Sequence, residues 1–465
     1  MVLGKNNTVF DLLAYLCSLL SKEDERKYST EWAVAGEEHV RDILNKYKNF
    51  LAVILNASAN EYKFTDTEIA YLNKELIQLK KECKNNREDI YRLAIEVEKR
   101  IDMYSKWQNR GVVYRLEPLN TNHKKTGIAV YPHILPQWDT KKSERNRERK
   151  LNAAFTNYMI IRSGDVSPFE IIMHYWNDTG LLRKTEAGWE MSIALSSVMD
   201  YAVLETDERE SPSGCTVRVK GIENEQIVKN RVLRIFDALF PKEYGMIVFP
   251  EILGSESILQ AIKSRMREHP ECCSFVVAPT ICCDGRNTLV VLGPGGVECL
   301  RQEKTTPAIL ITEDGKNERE DLVYGNQVHL LITQELGLIA FAICAELLDP
   351  DYYRLLVDTA LVDTIICPSF SPGVAAFRDT MLKGTPAKLL ELYVNSCSAK
   401  AVSRNGKVAE PLACIQVPSA ENEYCIRDIP RECQGICAEE ICYFDVLVTC
   451  KDNKFSIVGV HRRCA

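Results

Sequence analysis

Nowhere in this chain does an uninterrupted apolar run approach the roughly 18 residues that cross a bilayer, which excludes a helical membrane span. The opening residues Met1 to Asn7 lack a basic segment followed by an apolar stretch and a small-residue cleavage site, so a cytoplasmic protein is expected. Cysteine is nearly missing from the first 186 residues, which hold only Cys17 and Cys83; the other 16 of the 18 follow. Without an export signal these thiols are expected to be reduced and to pack as small apolar groups. The late group Cys425, Cys433, Cys437 and Cys442 lacks the paired Cys-x-x-Cys of zinc sites, so no metal and no cofactor are expected. Residues 1–186 also lack a glycine-rich phosphate loop. Their imidazoles, His39, His123, His133 and His174, have no ligand motif around them. A second active site is not expected there.

What is present is ordinary for a globular protein: 46% hydrophobic and 26% charged residues. A chain of 465 residues exceeds the size at which one core stops growing, which argues for two domains. Charge divides them. Residues 1–186 carry 30 Lys and Arg against 26 Asp and Glu, and residues 187–465 carry 28 against 39. The densest basic run, 141–150, is interleaved with Glu144 and Glu148. That pattern favours a solvated helix face over a nucleic-acid patch.

Residues 1–186 read as a mostly α-helical domain. Thr65 and Glu68 stand three apart as a capping box, and Ile69, Leu72, Leu76 and Leu79 follow at helical spacing. Ile90, Leu93, Val97 and Ile101 repeat the stripe; Phe10, Leu13, Leu16 and Leu20 mark a shorter helix, and Val40, Ile43, Phe50 and Val53 another. Gly111 to Tyr114 and Ile128 to Tyr131 suggest a small hairpin. The stripes suit an internal core better than a partner groove; a protein partner, if there is one, is expected on 65–107 or 141–150. From residue 187 short β-rich runs alternate with helices at 226–240, 257–267 and 350–360, an α/β pattern with a buried sheet. The stretch 205–221 reads as an exposed insertion.

Three reactive side chains each leave the end of a strand-like run. Cys344 follows Leu336 to Ile343 and precedes an Asp349-Pro350 helix start; Glu251 ends Met246 to Pro250; Lys304 ends Val297 to Glu303. Carboxylate, ammonium and thiol in that order resemble the Glu-Lys-Cys site of the nitrilase (carbon–nitrogen hydrolase) superfamily. Ser274 to Pro279, Asn287 to Gly296, Asp363 to Ser369 and Tyr393 to Ser396 are similar to its flanking segments, and the resemblance covers 187–465.

The resemblance implies an α-β-β-α sandwich for 187–465 and a small-molecule amide or nitrile as substrate, with amide the commoner activity. It implies Cys344 as nucleophile, Glu251 as proton carrier, and Lys304 with the Ala345 amide as oxyanion donors. Glu346 is read as structural or substrate-orienting. A second site glutamate is expected among Glu313, Glu318 and Glu320, and Glu313 is taken for its distance to Gly325. Two departures stand out: the family's histidine-leucine-proline run after the lysine is absent, and the nucleophile sits in Cys-Ala-Glu. Homodimers are expected through 350–360 and 385–392, with Tyr353, Leu356 and Leu390 at the contact. Two functions stay open: a thiol hydrolase of linear C–N bonds, or a catalytically silent hydrolase-fold module coupled to a helical partner-binding domain.

Overall fold

The computed structural model describes residues 3–463 except 26, 29–36, 83–86, 102–112, 137–154, 156, 177–179, 187, 212–213, 241, 312–316, 385–388, 403–409, 419–425, 431–441 and 452–453. The basic run 141–150 and Cys425, Cys433 and Cys437 lie outside the described residues. Among those described, no helix is long and apolar enough to cross a membrane.

Two large sheets carry the fold. The first has eight strands in the order Tyr114–Leu116, Glu170–Trp176, Gln327–Thr333, Gly337–Phe341, Thr364–Ser369, Leu390–Asn395, Ala413–Gln416 and Ile426–Ile429. The second, of nine, is built around Arg286–Gly293, Cys273–Val277, Tyr244–Val248, Gly188–Val198 and Cys442–Lys451. Parallel neighbours need crossovers, and helices supply them. Glu225–Leu239 leads into Tyr244–Val248, and Glu256–Glu268 links that strand to Cys273–Val277. The sheets meet through aromatic rings. Phe275 of the second sheet stacks on Trp176 and Phe341 of the first, with centroids 6.0 and 6.3 Å away.

Strand alternation divides the first sheet's side chains between two cores. Leu331, Ile339, Phe341 and Ile366 face the second sheet. Leu330, Ile332, Leu338 and Ala340 face outward, where Tyr352, Leu355, Leu356 and Phe377 cover them. Tyr131, Met159, Ile161 and Val166 join that outer layer from the pair Ile128–Pro132 and Tyr158–Arg162 and the short helix Ser163–Val166.

A third core belongs to the N-terminal helices. The capping box forms: Thr65 N donates to Glu68 Oε2 at 2.8 Å, and Glu68 N to Thr65 Oγ1 at 3.3 Å. Helix Asp66–Lys81 buries Ile69, Leu72, Leu76 and Leu79, and helix Arg87–Arg100 buries Ile90, Leu93 and Val97.

Five expectations change. Among the described residues the helical reading of 1–186 holds within 9–100; beyond that strands dominate, with only the short helices His123–Thr126 and Ser163–Val166. Glu170–Trp176 lies inside the first sheet, parallel to Gln327–Thr333, and Arg183–Thr185 pairs with Gly188–Val198, so a boundary at 187 would run through the second sheet. Among the described residues Tyr114–Leu116 pairs with Glu170–Trp176, and Ile128–Pro132 with Tyr158–Arg162, rather than with each other as the expected hairpin required. The supposed loop 205–221 is a hairpin, Leu204–Ser211 with Gly214–Ile222, joined edge-on to Asn317–Glu320. Finally, Leu356 and Leu390 are fully buried within the chain, Leu390 in a strand, and Tyr353 turns its hydroxyl to Glu391 at 3.3 Å. Leu356 and Leu390 are thus not at the surface for the expected dimer contact, and residues 385–388 of it lie outside the described residues.

Candidate active site

The site sits where several strands end. Beyond Gly337–Phe341 the chain turns sharply, and Cys344 takes a φ of 50°, a left-handed conformation costly for a side-chain-bearing residue. Glu346 supports this turn. Its Oε2 accepts the Ile343 amide at 2.7 Å, and its Oε1 accepts both the Thr305 amide at 2.5 Å and Thr305 Oγ1 at 2.8 Å. One buried carboxylate thus ties the nucleophile turn to the residue after Lys304. Burial pushes the Glu346 carboxyl up to about 7, against the pull of these donors.

Lys304 is fixed by its backbone as well. Its amide donates to Asn287 O at 2.8 Å, and its carbonyl accepts from Gly325 at 3.0 Å. A Cβ on Gly325 would stand 2.8 Å from both the Glu303 carbonyl oxygen and its Cβ, which explains a glycine at this close approach. The Lys304 ammonium, 1% exposed, lies between Glu251 Oε1 at 2.8 Å and Glu320 Oε2 at 2.7 Å. Desolvation works to lower its pKa, but Glu251, Glu320 and Cys344 outweigh this and hold it well above the usual lysine range. The lysine is therefore protonated.

Glu251 is the junction. Asn287 Nδ2 donates to its Oε1 at 2.8 Å, and the Phe370 amide donates to its Oε2 at 2.9 Å. It lines the same cavity as Cys344. Burial drives its carboxyl above the usual range, while Lys304 opposes that rise. Cys344 is buried too, and burial reinforced by the Glu251 charge pushes its thiol up to about 12. At rest it is a thiol, not a thiolate. Ser369, ending Thr364–Ser369, donates its hydroxyl to Cys344 Sγ at 3.1 Å.

The structure thus brings Glu251, Lys304 and Cys344 to one cavity of about 290 Å³, which Ala345 also lines. Glu346 lies behind it and supports the turn. Glu313 lies outside the described residues; Glu318 lines the cavity, and Glu320 is the carboxylate that holds Lys304 and the Ala308 amide. Sequence reasoning missed Asn287 and Ser369. Each is a polar residue at the end of an apolar strand, a signal that could have singled them out. Among the described residues no group of three His, Cys, Asp or Glu is placed to hold a metal.

No family model matches the sequence, and no curated protein matches it. Solved structures of nitrilase-superfamily proteins are similar. An amidase from Nesterenkonia sp. is 13% identical over 54% of this chain and 94% of that one, with a TM-score of 0.36. Nit3 of Saccharomyces cerevisiae, a member of branch 10 of the nitrilase superfamily, is 12% identical over 59% of this chain and 88% of its own, with a TM-score of 0.34.

Proposed function

We propose that this protein is a thiol hydrolase of non-peptide carbon–nitrogen bonds, acting on amides rather than nitriles, in the manner of the nitrilase superfamily. The two large sheets with their flanking helices are read as that superfamily's α-β-β-α sandwich. The observation that carries the proposal is the convergence of Glu251, Lys304 and Cys344 on one cavity, with the Glu251 carboxylate on the Lys304 ammonium at 2.8 Å.

The chemistry follows from these contacts. Cys344 Sγ attacks the amide carbon while its proton passes to Glu251, as a thiol with a pKa near 12 requires. The carbonyl oxygen becomes an oxyanion, held by the Lys304 ammonium and the Ala345 amide. Glu251 then gives its proton to the nitrogen, the C–N bond breaks, and the amine leaves a thioester on Cys344. Water attacks the thioester and gives a proton to Glu251. The C–S bond breaks, the acid departs, and the proton returns to sulfur. A raised Glu251 pKa suits a group that must both take and return a proton. Glu320 keeps Lys304 charged and in place.

The silent-module alternative has less behind it. Holding two carboxylates and an ammonium out of water is costly, and a well-packed apolar trio would serve a mere binding fold as well. Residues 1–186 are read as non-catalytic; their described helices pack on their own core, and the strands after them complete the first sheet. A cytoplasmic setting would keep the nucleophile reduced.

The test is intact-protein mass spectrometry after incubation with a library of amides and esters. The expected result is an acyl adduct on the native protein and none on Cys344→Ala. Absence of any adduct across the library would overturn the proposal.

A further inference from the structure

The hairpin 204–222 was expected to be a plain surface insertion, yet it forms one wall of the cavity that holds Cys344. Its faces differ in the way a half-buried strand pair requires. Asp207, Arg218 and Lys220 are turned away from the cavity; Arg218 pairs with Asp321 at 2.7 Å and Lys220 with Asp207 at 3.8 Å. Leu204, Val217 and Val219 line the cavity and are only half buried; Leu204 and Val219 also pack against the core between the sheets, and the rest of their apolar surface is open to the cavity. Ile252, Leu348 and Phe377 line the same cavity.

The ionisable lining of the cavity is mostly acidic, with Glu251, Glu318 and Glu320 against Lys304 and Arg319. Lys304 is shared by Glu251 and Glu320 and offers no spare positive charge to a substrate carboxylate. Arg319 is exposed, and its guanidinium donates to Tyr324 Oη at 2.6 Å. Exposed Ile309 stands with it and marks the mouth. A volume of about 290 Å³ leaves room for on the order of ten non-hydrogen atoms.

We infer that the substrates are amides of uncharged, apolar carboxylic acids, with an alkyl or arylalkyl acyl group of up to about ten heavy atoms, and that the hairpin 204–222 sets this preference through Val217 and Val219. This rests on the hydrolase reading above. The acyl chain lies along the apolar wall, where it remains while bound to Cys344, and the amine leaves through the mouth.

The experiment uses the full-length protein and the series acetamide, propionamide, hexanamide and phenylacetamide, with succinamic acid as the charged member. Ammonia release and acylation of Cys344 are followed. The expected result is a kcat/KM that rises about fourfold per added methylene until the cavity is full, with succinamic acid slower than the shorter propionamide. Val219→Asp should lower the hexanamide-to-acetamide ratio at least tenfold; Val219→Thr, a milder change, should lower it in the same direction if the aspartate variant does not fold. A flat series, a preference for acetamide or succinamic acid, or an unchanged ratio in a folded variant overturns the inference. Failure of the hydrolase reading looks different: no member acylates Cys344. The inference is then decided by thermal shift of the native protein, where hexanamide and phenylacetamide should stabilise and succinamic acid should not. No stabilisation by the apolar pair, or stabilisation by succinamic acid alone, overturns it.

Discussion

Glu346 accepts the Thr305 amide at 2.5 Å with one oxygen and the Ile343 amide at 2.7 Å with the other, so the lysine turn and the nucleophile turn share a single buried carboxylate. Both oxygens act as acceptors, and the Ile343 donor is fully buried. The left-handed backbone of Cys344 is held from both sides by this arrangement.

Glu346→Gln should therefore be damaging although it is nearly isosteric. An amide offers one acceptor and one donor, so an N–H would face either Thr305 or Ile343. A misplaced buried donor costs about 1–3 kcal/mol. Urea unfolding should show that loss, and Cys344 acylation should slow even in the folded fraction. Native stability with native acylation would mean that Glu346 does not position the turn.

Removing the charge between the two carboxylates should be worse. Lys304→Met leaves Glu251 and Glu320 buried on either side of a neutral side chain, and breaking a buried pair in this way costs about 3–5 kcal/mol. Adding Glu320→Gln should recover part of that stability, because it removes one orphaned charge, while acylation stays lost for want of the oxyanion donor. A double variant no more stable than Lys304→Met would contradict the coupling between Lys304 and Glu320.

The three strand-end residues were legible because each closes a short apolar run and needs no distant partner to be noticed. The glutamate that holds Lys304 was not legible. Choosing Glu320 over Glu313 depends on Asn317–Glu320 lying against Gly214–Ile222, a pairing across some hundred residues that local pattern does not encode. The same limit hid Glu170–Trp176. Its run of apolar residues is visible, but its place beside Gln327–Thr333 is set by packing. Helices such as Asp66–Lys81 were readable because capping and spacing are local physics.

His174 and His329 make the acid limb of stability a further test. They stack with centroids 5.1 Å apart, and His174 Nε2 lies 3.0 Å from His329 Nδ1. Burial pulls both rings down to about 4 from 6.5, helped at His174 by the His329 charge and at both by Arg115. The unfolded chain binds protons near pH 6.5 while the native pair resists until about 4, so the unfolded state gains protons first and stability falls as pH drops through that window. The loss at pH 5 should be on the order of 2 kcal/mol per ring. His174→Gln should flatten the curve of unfolding free energy between pH 6.5 and 5. An unchanged slope would place the titration elsewhere.

The last prediction concerns residues 187–465 expressed alone, which should not fold. Cutting at 187 removes Glu170–Trp176 from the first sheet and leaves the full edge of Gln327–Thr333 unpaired beside the strand that leads to Cys344. An exposed strand edge of this kind invites aggregation. The cut also strips Tyr131, Met159, Ile161 and Val166 from the outer layer, exposing Leu330, Ile332 and Leu356 to water, and it removes Trp176 from its stack on Phe275. At roughly 1.5–3 kcal/mol for each large apolar side chain returned to solvent, the loss exceeds the few kcal/mol by which domains are stable. The fragment should be insoluble, or should bind a hydrophobic dye and unfold without a cooperative transition. A soluble fragment with a sharp thermal transition and native acylation of Cys344 would show that the strands before residue 187 merely decorate the hydrolase core rather than complete it.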